Sequence, residues 1–365
     1  MSESTPRRRD VTVADVAREA RVSKAQAARA LGGYGAVSDD VRERVMAAAE
    51  HLNYRPNELA RTMNTGKSNT LGVVVGDIEN PHFGLAMRGI SDVAKAAGFD
   101  VILINTSEDV AAEVDAVRVL LDKRVDGLIV APASRGDSEH LGRVLEAGRP
   151  LVLFDRKVDG LNVDVFAPDM TDVARESTEQ LIAVGHRRIA FISTVDAEGP
   201  YREGMPLASS QVAERLLGMH LAFRHAGLCL NRDLIRLGAG DSESIAAITE
   251  EVLADGATAI VASDGLIALS VIETIQRLGL SIPDDVSFLM YDDFAWTKLT
   301  SPPLSVIAQP VYDIGAAAAR AVILRIRGQV PRTSPEELKA VLVERGSIGA
   351  ATAGDRQAMG ASSAR

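Results

Sequence analysis

An acidic and a basic side chain stand next to each other at Asp155 and Arg156, directly after the apolar run Leu151–Phe154. A carboxylate accepts hydrogen bonds and a guanidinium donates them, so this pair can bind neighbouring hydroxyl groups of a polyol. The segment Asp77–Phe83, DIENPHF, follows an earlier apolar run in the same way. Both patterns indicate a binding site for a small polar molecule. Ion pairs between segments of the protein are the alternative.

A second set of polar side chains lies near the N-terminus, after a break at Arg21–Val22. Ser23 is a typical N-cap residue, and about two helical turns are predicted to follow it. Side chains exposed on that helix can donate to guanine edges or to phosphates. The candidate DNA-binding residues here are Ser23, Lys24, Ala25, Gln26 and Arg29. The alternative is that these polar groups are ordinary solvated side chains.

Other kinds of chemistry have little support in the sequence. The single Cys229 excludes an intramolecular disulfide and a metal site built from several cysteines. No nucleophile elbow, phosphate-binding loop or dinucleotide fingerprint occurs in the required context. We therefore expect no enzymatic activity, no catalytic residues, no cofactor and no bound metal.

Three short helices are predicted within residues 11–54, because apolar residues recur there at helical spacing. The first helix has an apolar face formed by Val13, Val16, Ala17 and Ala20. The third helix begins after the cap candidate Ser38 and buries Val41, Val45, Ala48, Ala49 and Leu52. A helix, a tight turn and a second helix form the arrangement that sets a recognition helix in a DNA major groove.

Alternation of strands and helices begins at Thr70 and predicts a doubly wound α/β fold. The predicted strands are 70–76, 100–105, 127–132, 150–155, 163–167, 188–193, 259–262 and 286–291. The predicted helices are 84–97, 109–122, 138–147, 171–184, 211–226, 243–254 and 265–278. Two successive sets of this size indicate two lobes. Such sheets bind ligands beyond the carboxyl ends of their strands, so we expect the polar site in the cleft between the lobes.

The 365 residues carry a formal net charge of −10 that is unevenly distributed. Residues 1–68 contain 12 Lys and Arg against 9 Asp and Glu, a net +3, which leaves −13 for the remainder. This asymmetry permits a small DNA-reading module on an acidic body. Because no apolar run is long enough to span a membrane and the N-terminus lacks the core of a secretory signal, we expect a cytoplasmic protein.

Residues 11–31, VTVADVAREARVSKAQAARAL, and the later run VSDDVRERVMAAAEHLNYRPNELARTMNTGKSNTLGVVV closely resemble the LacI/GalR family of bacterial regulators. The resemblance runs through nearly the whole chain. It implies an all-α helix-turn-helix headpiece joined to an α/β two-lobed domain like the periplasmic binding proteins, with doubly wound parallel sheets. It also implies a homodimer, or a tetramer formed from dimers, that binds double-stranded operator DNA.

The run LNYRPNELARTM at 52–63 is the most specific part of this resemblance. In the family, the third helix passes here to a short hinge helix that folds only on operator DNA. Asn57 would cap the hinge helix, and Pro56 would fix its approach. The resemblance makes Met63 an apolar wedge in a minor-groove step, with Ala60 and Asn64 beside it. Linker filler is the alternative for Met63.

Four positions depart from the family pattern. The family usually has Gly at 21, hydroxyl side chains at 26 and 28, and Asn at 32, where this chain has Arg21, Gln26, Ala28 and Gly32. Ala28 cannot donate to a phosphate, and Gln26 can replace or redirect the contact of a hydroxyl. The operator sequence therefore does not follow from these residues.

Effector contacts are also implied by resemblance. The loop at 77–83 is similar to that of the pentose-type binding proteins, where Asn80 would face the ligand and His82 and Phe83 would stack on a sugar ring. A packed or surface histidine is an equal alternative for His82. The full predicted set is Asn80, His82, Phe83, Asp155, Arg156, Arg215, Ser263, Asp292 and Gln309. Asp264 is predicted to cap a helix instead of contacting the ligand.

The predicted organisation has five parts: a disordered basic arm at 1–10, the headpiece at 11–56, a hinge helix and linker at 57–68, the two-lobed domain at 69–347 and a disordered tail at 348–365. The first lobe is predicted to comprise 69–162 and 295–325, and the second 163–294 and 326–347. Residues 209–211 approach the cleft in the family alignment, although the preceding stretch 195–208 is longer than usual.

These features predict a sequence-specific DNA-binding regulator, specifically a repressor of a carbohydrate uptake or catabolism operon. A pentose, ketose or polyol bound between the lobes would control its operator affinity, and the two binding events would be linked reciprocally. The alternative from another class is a cytoplasmic sugar-binding protein of the same fold without a DNA role. An enzyme that uses the cleft is the third hypothesis.

Overall fold

A computed structural model of the chain describes residues 11–32, 35–54, 66–330 and 338–351. The chain divides into two compact units, Met1–Ser68 and Asn69–Arg365. The predicted basic arm lies outside the described residues, and so do the hinge candidates Asn57, Ala60, Met63 and Asn64. Among the described residues, no helix is both long enough and apolar enough to cross a lipid bilayer.

The N-terminal unit consists of the three predicted helices, α1 (Val13–Glu19), α2 (Lys24–Gly32) and α3 (Asp39–His51). Their buried core contains small residues, which let short helices approach closely: Val16, Ala17, Ala20, Ala27, Ala30, Val45, Ala48 and Ala49. The apolar faces that the helical spacing predicted are therefore the faces that pack.

The turn between α1 and α2 shows why the family usually has glycine at position 21. Arg21 has a φ of 52°, in the left-handed region, and the Val22 N–H donates to the Ala17 carbonyl oxygen at 3.0 Å. A left-handed residue at this point ends the helix in the way that glycine usually does. Glycine has no Cβ and adopts this φ without strain, whereas Arg21 carries the conformational cost.

The second unit, Asn69–Arg365, is called the body and contains two β-sheets, each with helices on both faces. In chain order its helices are α4 (Pro81–Ala97), α5 (Val110–Asp122), α6 (Glu139–Glu146), α7 (Thr171–Ala183), α8 (Ser210–His225), α9 (Ser242–Ala254), α10 (Gly265–Arg277) and α11 (Val311–Ile326). Its strands are β1 (Thr70–Val75), β2 (Asp100–Asn105), β3 (Gly127–Val130), β4 (Leu151–Phe154), β5 (Asp164–Phe166), β6 (Ile189–Ile192), β7 (Ile235–Arg236), β8 (Ala259–Ala262), β9 (Ser287–Tyr291), β10 (Ser305–Ala308) and β11 (Val341–Val343).

The first lobe is built on a parallel sheet with the strand order β2-β1-β3-β4-β5. Helices α4 and α11 pack on one face, and α5 and α6 pack on the other. The second lobe has the order β11-β10-β9-β8-β6-β7, with α7 and α8 on one face and α9 and α10 on the other. Only β11 is antiparallel to its described neighbour. Both lobes are doubly wound, as the sequence predicted.

The predicted lobe boundaries were wrong at two places. Strand β5 pairs with β4 of the first lobe, Val152 facing Asp164, although residues from 163 onward were predicted to begin the second lobe. Strand β10 pairs with β9 of the second lobe, although residues from 295 onward were predicted to return to the first. Buried parallel strands are apolar along their whole length, so their pattern does not reveal which sheet they join.

The predicted start of the disordered tail, residue 348, was also wrong. The Gly349 N–H donates to the Ser287 hydroxyl at 2.9 Å, and the Ala351 N–H donates to the Val184 carbonyl oxygen at 3.0 Å. These backbone bonds fix 348–351 to the second lobe. Residues 352–365 lie outside the described residues. The sequence pattern also missed β7, β10, β11 and α11.

Close packing of α4 against α11 depends on two glycines. A Cβ at Gly89 would lie 2.1 Å from the Tyr312 carbonyl oxygen, and a Cβ at Gly315 would lie 2.1 Å from the Ala86 carbonyl oxygen. Both obstacles are backbone atoms, which cannot rotate away. The first lobe therefore requires glycine at this helix crossing.

We expect Gly89→Ala to lower the free energy of unfolding of the body by about 3 kcal/mol, because the two helices must separate. Gly84→Ala on the same helix is the control: its Cβ would meet nothing within 4 Å, and alanine there should stabilise the helix by about 0.5 to 1 kcal/mol. Urea unfolding followed by circular dichroism measures both. Equal effects of the two substitutions would contradict the close-packing argument.

Candidate functional site

Polar side chains from both lobes meet at the carboxyl ends of the strands. His82 lies in the first turn of α4, Asp155 directly follows β4, and Asp292 directly follows β9. Asp155 and Asp292 have left-handed φ values of 64° and 72°, a conformation that aspartate tolerates better than most side chains. The strand ends thus bring one carboxylate from each lobe to the same place.

His82 bridges these two carboxylates. Its Nε2 lies 3.2 Å from Asp155 Oδ1, and its Nδ1 lies 3.2 Å from Asp292 Oδ2. The His82 residue is only 5% exposed. Of the two alternatives for His82, the structure therefore shows a packed histidine, and it identifies partners from both lobes.

This arrangement changes the protonation of His82. Burial by itself lowers the pKa of His82, but the negative charges of Asp292 and Asp155 outweigh burial and raise it to about 10. Burial would likewise raise the pKa of Asp155, and the His82 cation holds it well below its usual range instead. At neutral pH the bridge consists of an imidazolium between two carboxylates.

The remaining oxygens of the two carboxylates are also engaged. Arg156 Nε lies 3.3 Å from Asp155 Oδ2, and the Gln309 side-chain amide donates to Asp292 Oδ1 at 2.8 Å. Each of the four carboxylate oxygens therefore already has a partner within the protein. The predicted alternative of ion pairs between the lobes holds for His82 and Asp292, whereas Asp155 pairs with His82 and Arg156 within the first lobe.

Arg156 is held by a residue that the sequence analysis missed. Glu108 binds both terminal nitrogens of Arg156, with Nη2 donating to Oε1 at 2.8 Å, and Arg156 also donates to the Pro132 carbonyl oxygen at 3.1 Å. A Cβ at Gly76 would lie 2.1 Å from Glu108 Oε1, so the glycine after β1 makes room for this carboxylate.

Arg215 of α8 forms the second-lobe side of the site. It donates to the Ser263 carbonyl oxygen at 2.8 Å, and its guanidinium carbon lies 3.9 Å from the centre of the Tyr291 ring. The Ser263 hydroxyl donates to Asp264 at 3.1 Å. Asp264 accepts from two backbone N–H groups at the start of α10, which confirms the predicted cap. Burial raises the pKa of Asp264.

Five polar atoms of this site are buried without a hydrogen-bond partner among the described residues. His82 Nε2 and Arg156 Nε still lie within ion-pair distance of Asp155, whereas Arg215 Nε, Gln211 Oε1 and Gln309 Oε1 do not have such a contact. Leaving such groups unsatisfied costs about 1 to 3 kcal/mol each. Of the last three atoms, one is a donor and two are acceptors, a combination that matches hydroxyl groups. Gln211 is in the segment that the family alignment brought to the cleft.

A second contact joins the lobes beside the histidine bridge. The Lys157 N–H donates to the Ser210 hydroxyl at 2.9 Å, and Lys157 Nζ lies 2.7 Å from Glu214 Oε1. Ser210 and Glu214 belong to α8 of the second lobe. Sequence reasoning missed this pair, because nothing near either residue in the chain signals the other.

Two of the predicted effector residues stabilise the fold of the first lobe. Asn80 caps α4, and its side-chain oxygen accepts from the His82 N–H at 3.0 Å. Phe83 lies in the core of the first lobe, 2% exposed, and packs edge-to-face on Phe154 with a centroid distance of 6.2 Å. Their predicted contacts with a ligand stay predictions.

The long stretch 195–208 packs on the second lobe. Tyr201 and Leu207 are buried in the same cluster as the apolar face of α8, and the Tyr201 hydroxyl lies 3.0 Å from His220 Nε2. Burial raises the pKa of Tyr201 to about 12. The stretch directly precedes α8 and thereby sets the position of residues 209–215.

In the N-terminal unit, helix α2 presents the five predicted DNA-facing residues as exposed side chains. Ser23 and Gln26 form a capping box. The Gln26 N–H donates to Ser23 Oγ at 3.1 Å, and the Ser23 N–H and hydroxyl both donate to Gln26 Oε1 at 3.0 Å. Gln26 therefore has a structural role, since Gln is a preferred third helical residue of such boxes, and only its amide N–H groups remain for DNA.

Comparison with known proteins agrees with both units. Residues 12–57 match the family described as bacterial regulatory proteins, lacI family, and residues 68–343 match periplasmic binding proteins and sugar binding domain of LacI family. The chain belongs to the LacI family. It is a DNA-binding transcriptional regulator of that family, and the predicted family and fold class are confirmed.

Relatives of LacI-family type align along most of the chain. Catabolite control protein A of Priestia megaterium is 31% identical over 313 residues, 85% of this chain and 91% of that protein. The ribose operon repressor of Haemophilus influenzae is 30% identical over 319 residues, 87% of this chain and 92% of that protein. The crystal structure of the lac repressor dimer bound to operator and the anti-inducer ONPF is 26% identical, with a TM-score of 0.77 over 94% of this chain and 100% of that chain.

Proposed function

We propose that this LacI-family regulator is a homodimeric repressor of a carbohydrate operon, acts in the cytoplasm, and releases its operator when a small uncharged sugar or polyol binds between its lobes. The observation that carries the effector assignment is the meeting of Asp155 and Asp292 at the strand ends, near Arg215 of α8 and near buried polar atoms that have no hydrogen-bond partner among the described residues. Such sites hold polyhydroxy ligands by several directed hydrogen bonds.

The charge of the site favours an uncharged effector. The carboxylates of Asp155 and Asp292 each already face a cation, and Glu108 is paired with Arg156. The cations His82, Arg156 and Arg215 already balance the carboxylates of Asp155, Asp292 and Glu108, so a sugar acid would bring a negative charge in excess. Hydroxyl groups need only donors and acceptors, which Arg215 and Gln211 supply.

The DNA assignment rests on the exposed face of α2. Lys24 and Arg29 project as exposed cations beside Ala25 and Gln26 on the helix that follows the turn, where a helix-turn-helix protein contacts the major groove. The dimeric state is inferred from the lac repressor structure, whose description names a dimer bound to operator. The hinge candidates Asn57, Ala60, Met63 and Asn64 are proposed minor-groove residues on family grounds.

Fluorescence anisotropy of labelled promoter DNA tests the proposal. The purified protein is titrated at low salt, alone and with D-ribose, D-fructose, xylitol and D-gluconate. Release of DNA by an uncharged member of the panel supports the whole assignment. Release by D-gluconate alone would make the uncharged-effector assignment wrong, and absence of DNA binding in every condition would contradict the DNA role.

Gln26 allows the DNA role to be separated from the capping role. We expect Gln26→Glu to keep the capping box, because the Glu oxygen still accepts from Ser23, and to change the unfolding free energy by less than about 0.5 kcal/mol. The substitution removes the amide donor and adds a negative charge, so operator affinity should fall about tenfold or more. Gln26→Ala, which loses the cap, should cost about 1 kcal/mol of stability. Unchanged operator affinity of Gln26→Glu would show that Gln26 only caps the helix.

A further inference from the structure

The ligand-accepting carboxylates of both lobes are joined by a single side chain. His82 contacts Asp155 of the first lobe and Asp292 of the second, each at 3.2 Å, and all three residues are buried. Effector hydroxyl groups that donate hydrogen bonds to Asp155 Oδ1 and Asp292 Oδ2 must take the places of the two His82 nitrogens. The histidine and an effector therefore compete for the same oxygens.

We infer that protonated His82 and the effector compete for Asp155 and Asp292, and that effector binding displaces His82 and releases its proton. This inference rests on the proposed function, because it takes Asp155 and Asp292 as effector contacts. The exchange balances: effector hydroxyls donate hydrogen bonds to both carboxylates and keep their protons, while the imidazolium becomes a neutral imidazole and its proton passes to the solvent.

The charges that face His82 explain why the effector would release the proton. Asp155 follows β4 and Asp292 follows β9, and their charges are the causes that raise the pKa of His82. Arg156 and Arg215 also face Asp155 and help to lower its pKa. Once hydroxyl groups separate His82 from the carboxylates, burial is the effect that remains, and burial lowers the pKa of a histidine.

The inference has two consequences, and the second distinguishes it from a simple structural ion pair. Without effector, His82 draws the two lobes together through an internal cation. With effector, one proton is released per protomer. The effector dissociation constant should therefore fall about tenfold for each unit by which the pH rises between roughly 7 and 9. An effector that bound beside an intact bridge would show no such dependence.

The first part of the inference, a protonated His82, is tested without an effector. The protein is labelled with ¹⁵N in its histidine rings, and the six histidines are followed by NMR from pH 6 to pH 10.5. The resonances that vanish in His82→Gln, or in His82→Asn if the first variant does not fold, identify His82. We expect these signals to be those of an imidazolium up to at least pH 8.5. A neutral His82 ring at pH 8 would overturn the inference.

The position of the lobes is tested on the same effector-free protein. Spin labels are placed on the native exposed Cys229 of the second lobe and on Lys123→Cys, an exposed position that follows α5 in the first lobe. Dilution with unlabelled chain isolates the distance within one protomer. His82→Gln should lengthen or broaden that distance, and an unchanged distribution would show that the bridge does not hold the lobes. A panel in which no sugar releases DNA would refute the proposed function and leave both results intact.

Discussion

Arg215→Lys should weaken the effector by about 10- to 150-fold while operator binding without effector stays within about twofold of wild type. A hydrogen bond to a charged group contributes about 1.5 to 3 kcal/mol, and the lysine loses the guanidinium nitrogen Nε, which has no hydrogen-bond partner in the part of the chain that the structure describes. The lysine keeps its positive charge near the Tyr291 ring. The body should therefore fold while its effector site is impaired.

Operator anisotropy with increasing amounts of the active compound measures this shift, and a thermal unfolding scan checks folding. Arg224→Lys is the matched control, since it makes the same change on the same helix, α8, at an exposed position. The control should respond to the compound as wild type does. If Arg215→Lys also responds like wild type, Arg215 supports the loop at Ser263 and does not contact the effector.

The positions of the candidate site residues were predictable because parallel strands impose them. Asp155 and Asp292 both follow strands whose last residue is aromatic, Phe154 and Tyr291. Each parallel sheet binds ligands beyond the carboxyl ends of its strands, so a carboxylate at such an end in each of the two lobes is expected at the cleft between them. The shared aromatic–Asp signal would have singled out this pair without any alignment.

The partners of those residues were not predictable, because they come from distant parts of the chain. His82 and Asp292 are separated by 210 positions, and Glu108 and Arg156 by 48. No local pattern shows that a histidine at a helix start will meet a carboxylate from another lobe. The sequence therefore indicated polar groups around the cleft but left their pairing open.

Assigning each strand to its lobe failed for a related reason. Strands β5 and β10 lie immediately before chain crossings between the lobes, and α11 crosses back to pack on α4. The helix α11 contains the alanine run Ala316–Ala319, whose small side chains permit the close approach at Gly89. Alanine runs give a weak periodic pattern, so this helix was missed and the crossings were misplaced.

The Asp155–His82–Asp292 bridge should also make folding stability depend on pH. The pKa of His82 is raised from 6.5 to about 10 in the folded protein. The folded state therefore holds the proton more tightly than the unfolded chain does. This contribution is fully present below pH 6.5, and it is lost progressively as pH rises toward 10.

The quantity to measure is the difference in unfolding free energy between wild type and His82→Gln, taken between pH 6 and pH 10. Titrations that both proteins share cancel in this difference. We expect wild type to be more stable by a few kcal/mol at pH 6.5, because removing the cation leaves two buried carboxylates facing each other. The advantage should shrink steadily as the pH rises to 10.

His140→Gln provides the control, because His140 is also buried and pairs with the buried Glu113 at 2.5 Å, but within one lobe. His140→Gln should lower stability without changing the distance between spin labels on the two lobes. His82→Gln should change both the stability and that distance. A stability difference for His82→Gln that is constant from pH 6 to pH 10 would mean that His82 is held as a neutral hydrogen-bonding side chain. In that case effector binding would release no proton.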